Sequence, residues 1–257
     1  MNSKITVTII TLNEAACIAS CIQSAWRIAD EIIVVDSHST DETREIAQKL
    51  GAKVYENSFH GYGEQKNVAM QQASNDWILN LDADEMLDEQ LVTNIKQLDL
   101  ATATVEAYAF SRKNYIGNRW QKTWSPDYVI RLYNKQRCSF SRAIVHESVL
   151  TKNYKKLTGS ILHYSFKDLS DCWLRADKYS VVDAKRLFEA GRKVRQWDPA
   201  WHCLTSFIKF FLFKKGVCYG ADGFSASLIG ALRSYLKYAH VLELQQNSRA
   251  SVIEKTS

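Results

Sequence analysis

Proline is nearly absent from this sequence: Pro126 and Pro199 are the only two in 257 residues, beside ten glycines. So little punctuation, with no internal repeat and no low-complexity stretch, excludes collagen-like and extensively disordered chains. Six cysteines (Cys17, Cys21, Cys138, Cys172, Cys203 and Cys218) form no CxxC pair and no Cys/His group at zinc spacing. That argues against a structural zinc site and against a disulfide framework; the four-residue step from Cys17 to Cys21 fits one buried face of a helix. There is no glycine-rich dinucleotide fingerprint and no GxxxxGK[ST] loop, which removes the common cradles for NAD and ATP. The apolar start, Ile5 to Leu12, is short and runs directly into a polar turn, unlike a secretory leader. No run approaches the ~18 uninterrupted apolar residues of a spanning helix. These absences predict a cytoplasmic protein.

What is present is 46% hydrophobic residues, enough for one large α/β core with an appendage. The charge is split along the chain. Met1 to Glu147 holds 15 Lys+Arg and 19 Asp+Glu, whereas Ser148 to Ser257 holds 18 and 9. An acidic half is thus joined to a basic, aromatic half, which suggests an anionic partner, nucleic acid or a membrane surface.

The acidic half alternates strands with helices. Ile5–Thr11 (ITVTIIT), Glu31–Asp36 (EIIVVD), Ala52–Glu56 and Trp77–Asp82 (WILNLD) read as buried parallel strands. Asn13 is expected to N-cap the first helix, with Glu14 in its first turn and Ala16, Ile18, Cys21, Ile22 and Ala25 on its apolar face. Ser39 and Glu42 are expected to form a capping box for a second helix ending at Gly51. A third helix is expected around Glu64–Ala73. This order implies a doubly wound, mostly parallel sheet, which binds ligands beyond the carboxyl ends of its strands. Those ends carry Thr11-Leu12-Asn13-Glu14, Asp36-Ser37-His38-Ser39 and Asp82-Ala83-Asp84-Glu85. Two carboxylates one residue apart at a strand end suit Mg²⁺ or Mn²⁺, which take oxygen ligands from one or two acids and from substrate phosphates. An isolated DxD is equally a solvated turn; its strand context and two companion clusters favour the metal site.

The series TLNE at 11–14, VVDSHSTDET at 34–43, GEQKN at 63–67 and LNLDADE ending at Glu85 resembles family 2 glycosyltransferases of the GT-A fold. WSPDYVIRLYN at 124–134 with VHE at 145–147 is similar to the subgroup containing lipopolysaccharide inner-core β-1,4-glucosyltransferases. The resemblance is close over roughly the first 150 residues and looser beyond. It implies an inverting transfer of a hexose, glucose from UDP-glucose, to an inner-core heptose, with a divalent metal as cofactor. It further implies that Thr11, Asn13 and Glu14 line the nucleoside pocket, Asp36 meets the uracil or ribose, Lys66 the base or diphosphate, and Asp82 the ribose and phosphates, while Asp84 ligates the metal. His38 stands where a small residue is common, and either touches the donor or faces solvent.

An inverting transfer needs a general base, usually a carboxylate. Glu147 and Asp127 are the candidates, and His146 is a candidate further metal ligand; His146 and Glu147 could equally be a hydrogen-bonded pair at a strand end. Arg131 pairs with a phosphate or with a nearby acid.

In the basic half, Trp201, Leu204, Ile208, Phe211 and Leu212 recur at helical spacing, flanked by Lys209, Lys214 and Lys215. A second arc follows from Phe224 to Leu244, after a glycine break at Gly216, Gly220 and Gly223, and Leu174–Ala190 reads as a mixed-charge helix. The expected organisation is a donor-binding domain over 1–150, a helical acceptor- or membrane-facing region over 151–245, and a flexible tail over 246–257. Peripheral contact of 201–245 with the inner membrane and packing against the catalytic domain are both compatible with these arcs. A polyprenyl-phosphate-linked acceptor is the alternative to a lipopolysaccharide core sugar. A basic nucleic-acid-binding module, a glycoside hydrolase and a non-catalytic nucleotide-sugar-binding protein fit less well: no nucleic-acid module is present, so no nucleic-acid partner is expected, and a hydrolase would not use nucleotide-edge motifs.

Overall fold

The computed structural model describes residues 3–141 and 148–256, with side chains described through residue 248. The chain divides into two compact units, Met1–Lys113 with Pro126–His163, and Asn114–Ser125 with Tyr164–Ser257.

In the first unit, strands β1 (Ile5–Thr11), β2 (Glu31–Asp36), β3 (Lys53–Glu56) and β4 (Trp77–Asp82) are parallel, with β1 between β2 and β4. The β-branched runs of β1 and β2 are buried at every residue, as a strand covered on both faces requires. Alternation then sorts their side chains. Val7, Ile9, Ile32, Val34, Leu79 and Leu81 pack with helices α1 (Ile18–Ala25) and α4 (Glu89–Lys96). Ile10, Ile33, Val35 and Ile78 pack on the opposite side with Ala69 and Ala73, at the end of α3 (Tyr62–Gln72). The sheet is therefore doubly wound. Beyond β4 it continues through β8 (Tyr128–Asn134), β6 (Ala107–Ile116), β9 (Tyr154–Phe166) and β5 (Glu85–Leu87). β8 is antiparallel to both β4 and β6, and β5 is antiparallel to β9.

Two local expectations are corrected. Asn13 does not cap α1, which begins only at Ile18; Asn13 instead adopts a left-handed backbone with φ of 55°, a conformation its short polar side chain tolerates. Ser39 and Glu42 form no capping box on α2 (Thr43–Lys49). Ser39 turns back onto Asp36, and Asp41 accepts the Thr43 N–H at 3.1 Å.

The second unit contains a short strand β7 (Arg119–Trp120) paired with the end of β6, and helices α5 (Leu169–Glu189), α6 (Asp198–Ile208) and α7 (Gly220–Thr256). Asp168 caps α5 by accepting the Asp171 N–H at 2.8 Å. A wide π turn, Lys209–Phe213, and a 3₁₀ turn, Gly216–Tyr219, join α6 to α7. Its core is built from Ile116, Cys172, Ala176 and Ile229, with a second cluster of Ala184, Val194 and Val241. Among the described residues, no helix is long and apolar enough to cross a membrane.

Candidate active site

Strand register brings the polar clusters to one sheet edge: Thr11 lies opposite Asp36 and Ile10 opposite Asp82. The first two clusters lock together. Asp36, fully buried, accepts the Ser39 N–H at 2.7 Å and the Ser39 hydroxyl. The Ser39 hydroxyl oxygen accepts the Asn13 N–H at 2.8 Å, the Thr43 hydroxyl oxygen accepts the Glu14 N–H at 2.8 Å, and Asn13 Oδ1 accepts the Thr40 N–H at 2.8 Å. The loop after β1 is thus held by the loop after β2. Within it, the buried Thr11 hydroxyl meets no hydrogen-bond partner among the described residues. His38, at φ of 64°, sits on the outside, 3.3 Å from Glu56 and 3.2 Å from Ser58.

The third cluster is an ion network. Lys66, on α3 and only 1% exposed, places Nζ 3.0 Å from Asp82 Oδ1. Arg131, on β8, donates to Asn80 Oδ1 at 3.0 Å, to Asp82 Oδ2 at 2.6 Å and to Glu85 Oε1 at 2.7 Å. Glu85 has no exposed surface; its other oxygen accepts the Asp82 N–H at 3.0 Å, closing the turn that carries Asp84. Burial would raise the Asp82 carboxyl, but the Arg131, Lys66 and His163 charges outweigh it and hold it well below the usual carboxylate range. Arg131 thus forms ion pairs with both Asp82 and Glu85.

Asp84 meets His163, whose Nε2 is 3.4 Å from Asp84 Oδ2. The pairing of β5 with β9 sets Glu85 opposite His163, which fixes this approach. Burial pulls the imidazole down, but the hydrogen bond and charge of Asp84, with the charge of Glu85, raise it. Asp127, just before β8, accepts from Arg112 Nε at 2.9 Å, and Arg112 Nη1 lies 3.5 Å from Glu85. Lys66, Asp82, Asp84 and Arg131 are thus brought together, with Asp127 one guanidinium away. His146 and Glu147 lie outside the described residues.

Sequence reasoning gave no role to His163, Glu85, Arg112 or Asn80. His163 is a lone histidine in an alternating strand, a pattern more often explained by packing; its distance in sequence from Asp84 is closed only by the antiparallel β5–β9 pair.

Residues 6–157 match the family model Glycosyl transferase family 2. The chain is 36% identical over 260 residues to an uncharacterized glycosyltransferase of Rickettsia typhi, covering 96% of this chain and 89% of that protein. It is 30% identical over 251 residues to the lipopolysaccharide core biosynthesis glycosyltransferase LpsC of Rhizobium meliloti, covering 91% and 90%. Among solved structures it is similar to S. aureus TarS, with 17% identity, a TM-score of 0.48, and coverage of 90% of this chain and 91% of that one. The family match contains every strand end of this polar edge and most of the ion network; that match and the full-length Rickettsia and Rhizobium relatives establish that this chain, an α/β protein of GT-A type, belongs to the family 2 glycosyltransferases.

Proposed function

We propose that the chain transfers a hexose with inversion from a UDP-sugar, taken as UDP-glucose, to an inner-core heptose of lipopolysaccharide. The observation that carries the donor half is the Lys66–Asp82–Arg131–Glu85 network with the Asp84–His163 pair at its edge. The acceptor half is supported by the full-length likeness to LpsC, whose name places it in lipopolysaccharide core biosynthesis.

A divalent metal fits the donor set of this edge. No group of three or more His, Cys, Asp or Glu side chains among the described residues could hold one. Asp84 supplies a carboxylate, which suits Mg²⁺ or Mn²⁺ completed by diphosphate oxygens, and the His163 imidazole beside it would join as a ligand on losing its proton; His146, from the sequence reading, is a further candidate. When bound, the ion would offset charge on the leaving diphosphate. Lys66 and Arg131 keep Asp82 ionised and fixed, so that it can orient the ribose and phosphates without rearranging. Thr11, Asn13, Glu14 and Asp36 form the nucleoside end. The acceptor oxygen bonds to the anomeric carbon as the bond to the UDP oxygen breaks; the acceptor proton passes to a carboxylate, Glu147 in this reading with Asp127 as the alternative. Arg112 already engages Asp127, which favours a positioning role there.

The test is a panel of UDP-, GDP- and dTDP-sugars scored for manganese-dependent thermal shift and donor hydrolysis. Stabilisation by a UDP-hexose that Asp84→Ala removes supports the reading; no stabilisation by any nucleotide-sugar with metal present overturns it. Glu147→Gln should spare donor binding and remove transfer, and retained transfer moves the base to Asp127. The lipid-linked acceptor also calls for peripheral contact with the cytoplasmic face of the inner membrane, within 201–245.

A further inference from the structure

Helix α6 is apolar on two faces. One face packs on α7: the His202 ring stacks on Tyr238 at 3.8 Å, the Ser206 hydroxyl donates to the Gly230 carbonyl at 3.1 Å, and Phe207 and Phe211 contact Phe224. The Phe210 ring lies so close to Gly230 that a Cβ there would sit 2.7 Å from it, so this contact is fully used. The other face is exposed among the described residues. Trp197 is 82% exposed, Trp201 63% and Phe213 80%, with Leu204, Ile208 and Leu212 also exposed between them. Their spacing of four, three, four and four residues from Trp197 to Leu212 keeps a single stripe, because the π turn over Lys209–Phe213 carries it past the end of α6. A helix apolar all round is ordinarily buried, and a contiguous apolar patch of this kind marks an interaction site.

The charge around the stripe identifies what covers it. Between residues 190 and 221 the chain has Arg192, Lys193, Arg195, Lys209, Lys214 and Lys215 against a single acid, Asp198. Arg192, Lys193 and Arg195 precede the stripe, Lys214 and Lys215 follow it, and Lys209 falls between Ile208 and Leu212. Indole rings and leucines beside lysines are the composition of an interfacial helix, with apolar side chains among the acyl chains and cations among the phosphates. We propose that the Trp197–Phe213 segment docks on an anionic lipid bilayer, lying in the headgroup plane. This deepens the reading of a lipid-linked acceptor and narrows the membrane contact to α6 and its π turn, leaving α7 as the support behind it.

The test uses the full chain in flotation with vesicles of phosphatidylglycerol and phosphatidylethanolamine, and with vesicles of phosphatidylcholine alone. Binding to the anionic vesicles is expected, with a blue shift of tryptophan emission that Trp197→Phe with Trp201→Phe diminishes. The triple variant Trp197→Ser, Trp201→Ser, Phe213→Ser should lose about tenfold or more of the partitioning. Lys193→Glu with Lys215→Glu should weaken it and reduce its salt dependence. All of these side chains are exposed, so melting curves should match the wild type. UDP-hexose hydrolysis in the absence of vesicles should be unchanged in every variant, which separates failure here from failure of the donor assignment. Absence of flotation, flotation that the triple variant retains, or a dimer in sedimentation that the triple variant dissociates would each overturn the proposal, the last by assigning the stripe to a second copy of the chain.

Discussion

His163 Nε2 and Asp84 Oδ2 lie 3.4 Å apart, brought together by the pairing of β5 with β9 and by no local sequence relationship. One is an ordinary ligand for a borderline cation and the other for a hard one, and in the proposed reading the pair would hold a divalent ion against the diphosphate. His163→Ala should weaken manganese-dependent UDP binding by about tenfold to a hundredfold, on the scale by which metal-site substitutions act. Its affinity for UDP without metal should be nearly unchanged. Calorimetric titration with and without manganese reads both numbers, and equal metal-dependent gains in wild type and variant would count against the pair as a site.

Arg131 touches Asn80, Asp82 and Glu85 with one planar guanidinium. Lysine carries a single point charge and cannot span these acceptors. Arg131→Ala takes from buried Glu85 its nearest cation and leaves it the more distant Arg112 and the Asp82 N–H, so a loss of about 3–5 kcal/mol in urea unfolding is expected. Arg131→Lys should lose less stability yet still lower kcat, because Asp82 is no longer held from both sides. Adding Glu85→Gln to Arg131→Ala should recover part of the stability, since it removes the uncompensated charge; strict additivity in that double-mutant cycle would show that the two groups act independently.

The sheet edge that carries the polar clusters was legible because it rests on local patterns. Continuous β-branched runs such as ITVTIIT and EIIVVD are buried on both faces and end where polar residues begin, so β1, β2 and β4 match their expected limits. The loops were less legible. Asn13 and Ser39 have the chemistry of helix caps, but each finds its partner in the other's loop, and a tertiary hydrogen bond displaced the local one. Glu85 was visible in the acidic run at the end of β4, whereas its neutralisation by Arg131 and Arg112 depends on antiparallel strands β8 and β6 whose order no local period encodes. For α6, helical spacing was plain in the sequence, yet which apolar face stayed bare depended on how α7 packed.

Glu31 provides a pH probe at the opposite end of β2 from Asp36. It accepts Lys53 Nζ at 2.7 Å, the Ser74 N–H at 2.8 Å and the Thr6 hydroxyl at 2.7 Å. Burial pushes its carboxyl up, but the Lys53 ammonium and these hydrogen bonds outweigh it and lower it from 4.5 to about 2. A carboxyl lowered on folding stabilises the native state above its unfolded value, and that stability is lost as pH falls from about 4.5 towards 2. Glu31→Gln should therefore be destabilised by about 1–3 kcal/mol at neutral pH. Its melting temperature should also fall less steeply than the wild type's through that acid window, and parallel curves would reject the assignment.

Gly159 supplies the last prediction, because it sits in the strand that delivers His163. Its φ is +96°, and a Cβ built there would lie 2.5 Å from both the nitrogen and the Cα of Leu91. Leu91 cannot withdraw: its side chain is fully buried, and its N–H is held at 2.8 Å by Asp88, the cap of α4. Gly159→Ala thus combines a strained backbone with a clash against backbone atoms, two of the mechanisms behind large losses. A cost of about 3–5 kcal/mol is expected, read as a lower unfolding midpoint with the denaturant slope unchanged. Because β9 pairs with β5 at Ile161, Leu162 and His163, the register beyond the glycine is fixed by its own ladder. The protein that remains folded should keep its manganese-dependent affinity for UDP. Loss of that affinity at full stability would mean that the glycine sets the aim of His163 and not the fit of α4.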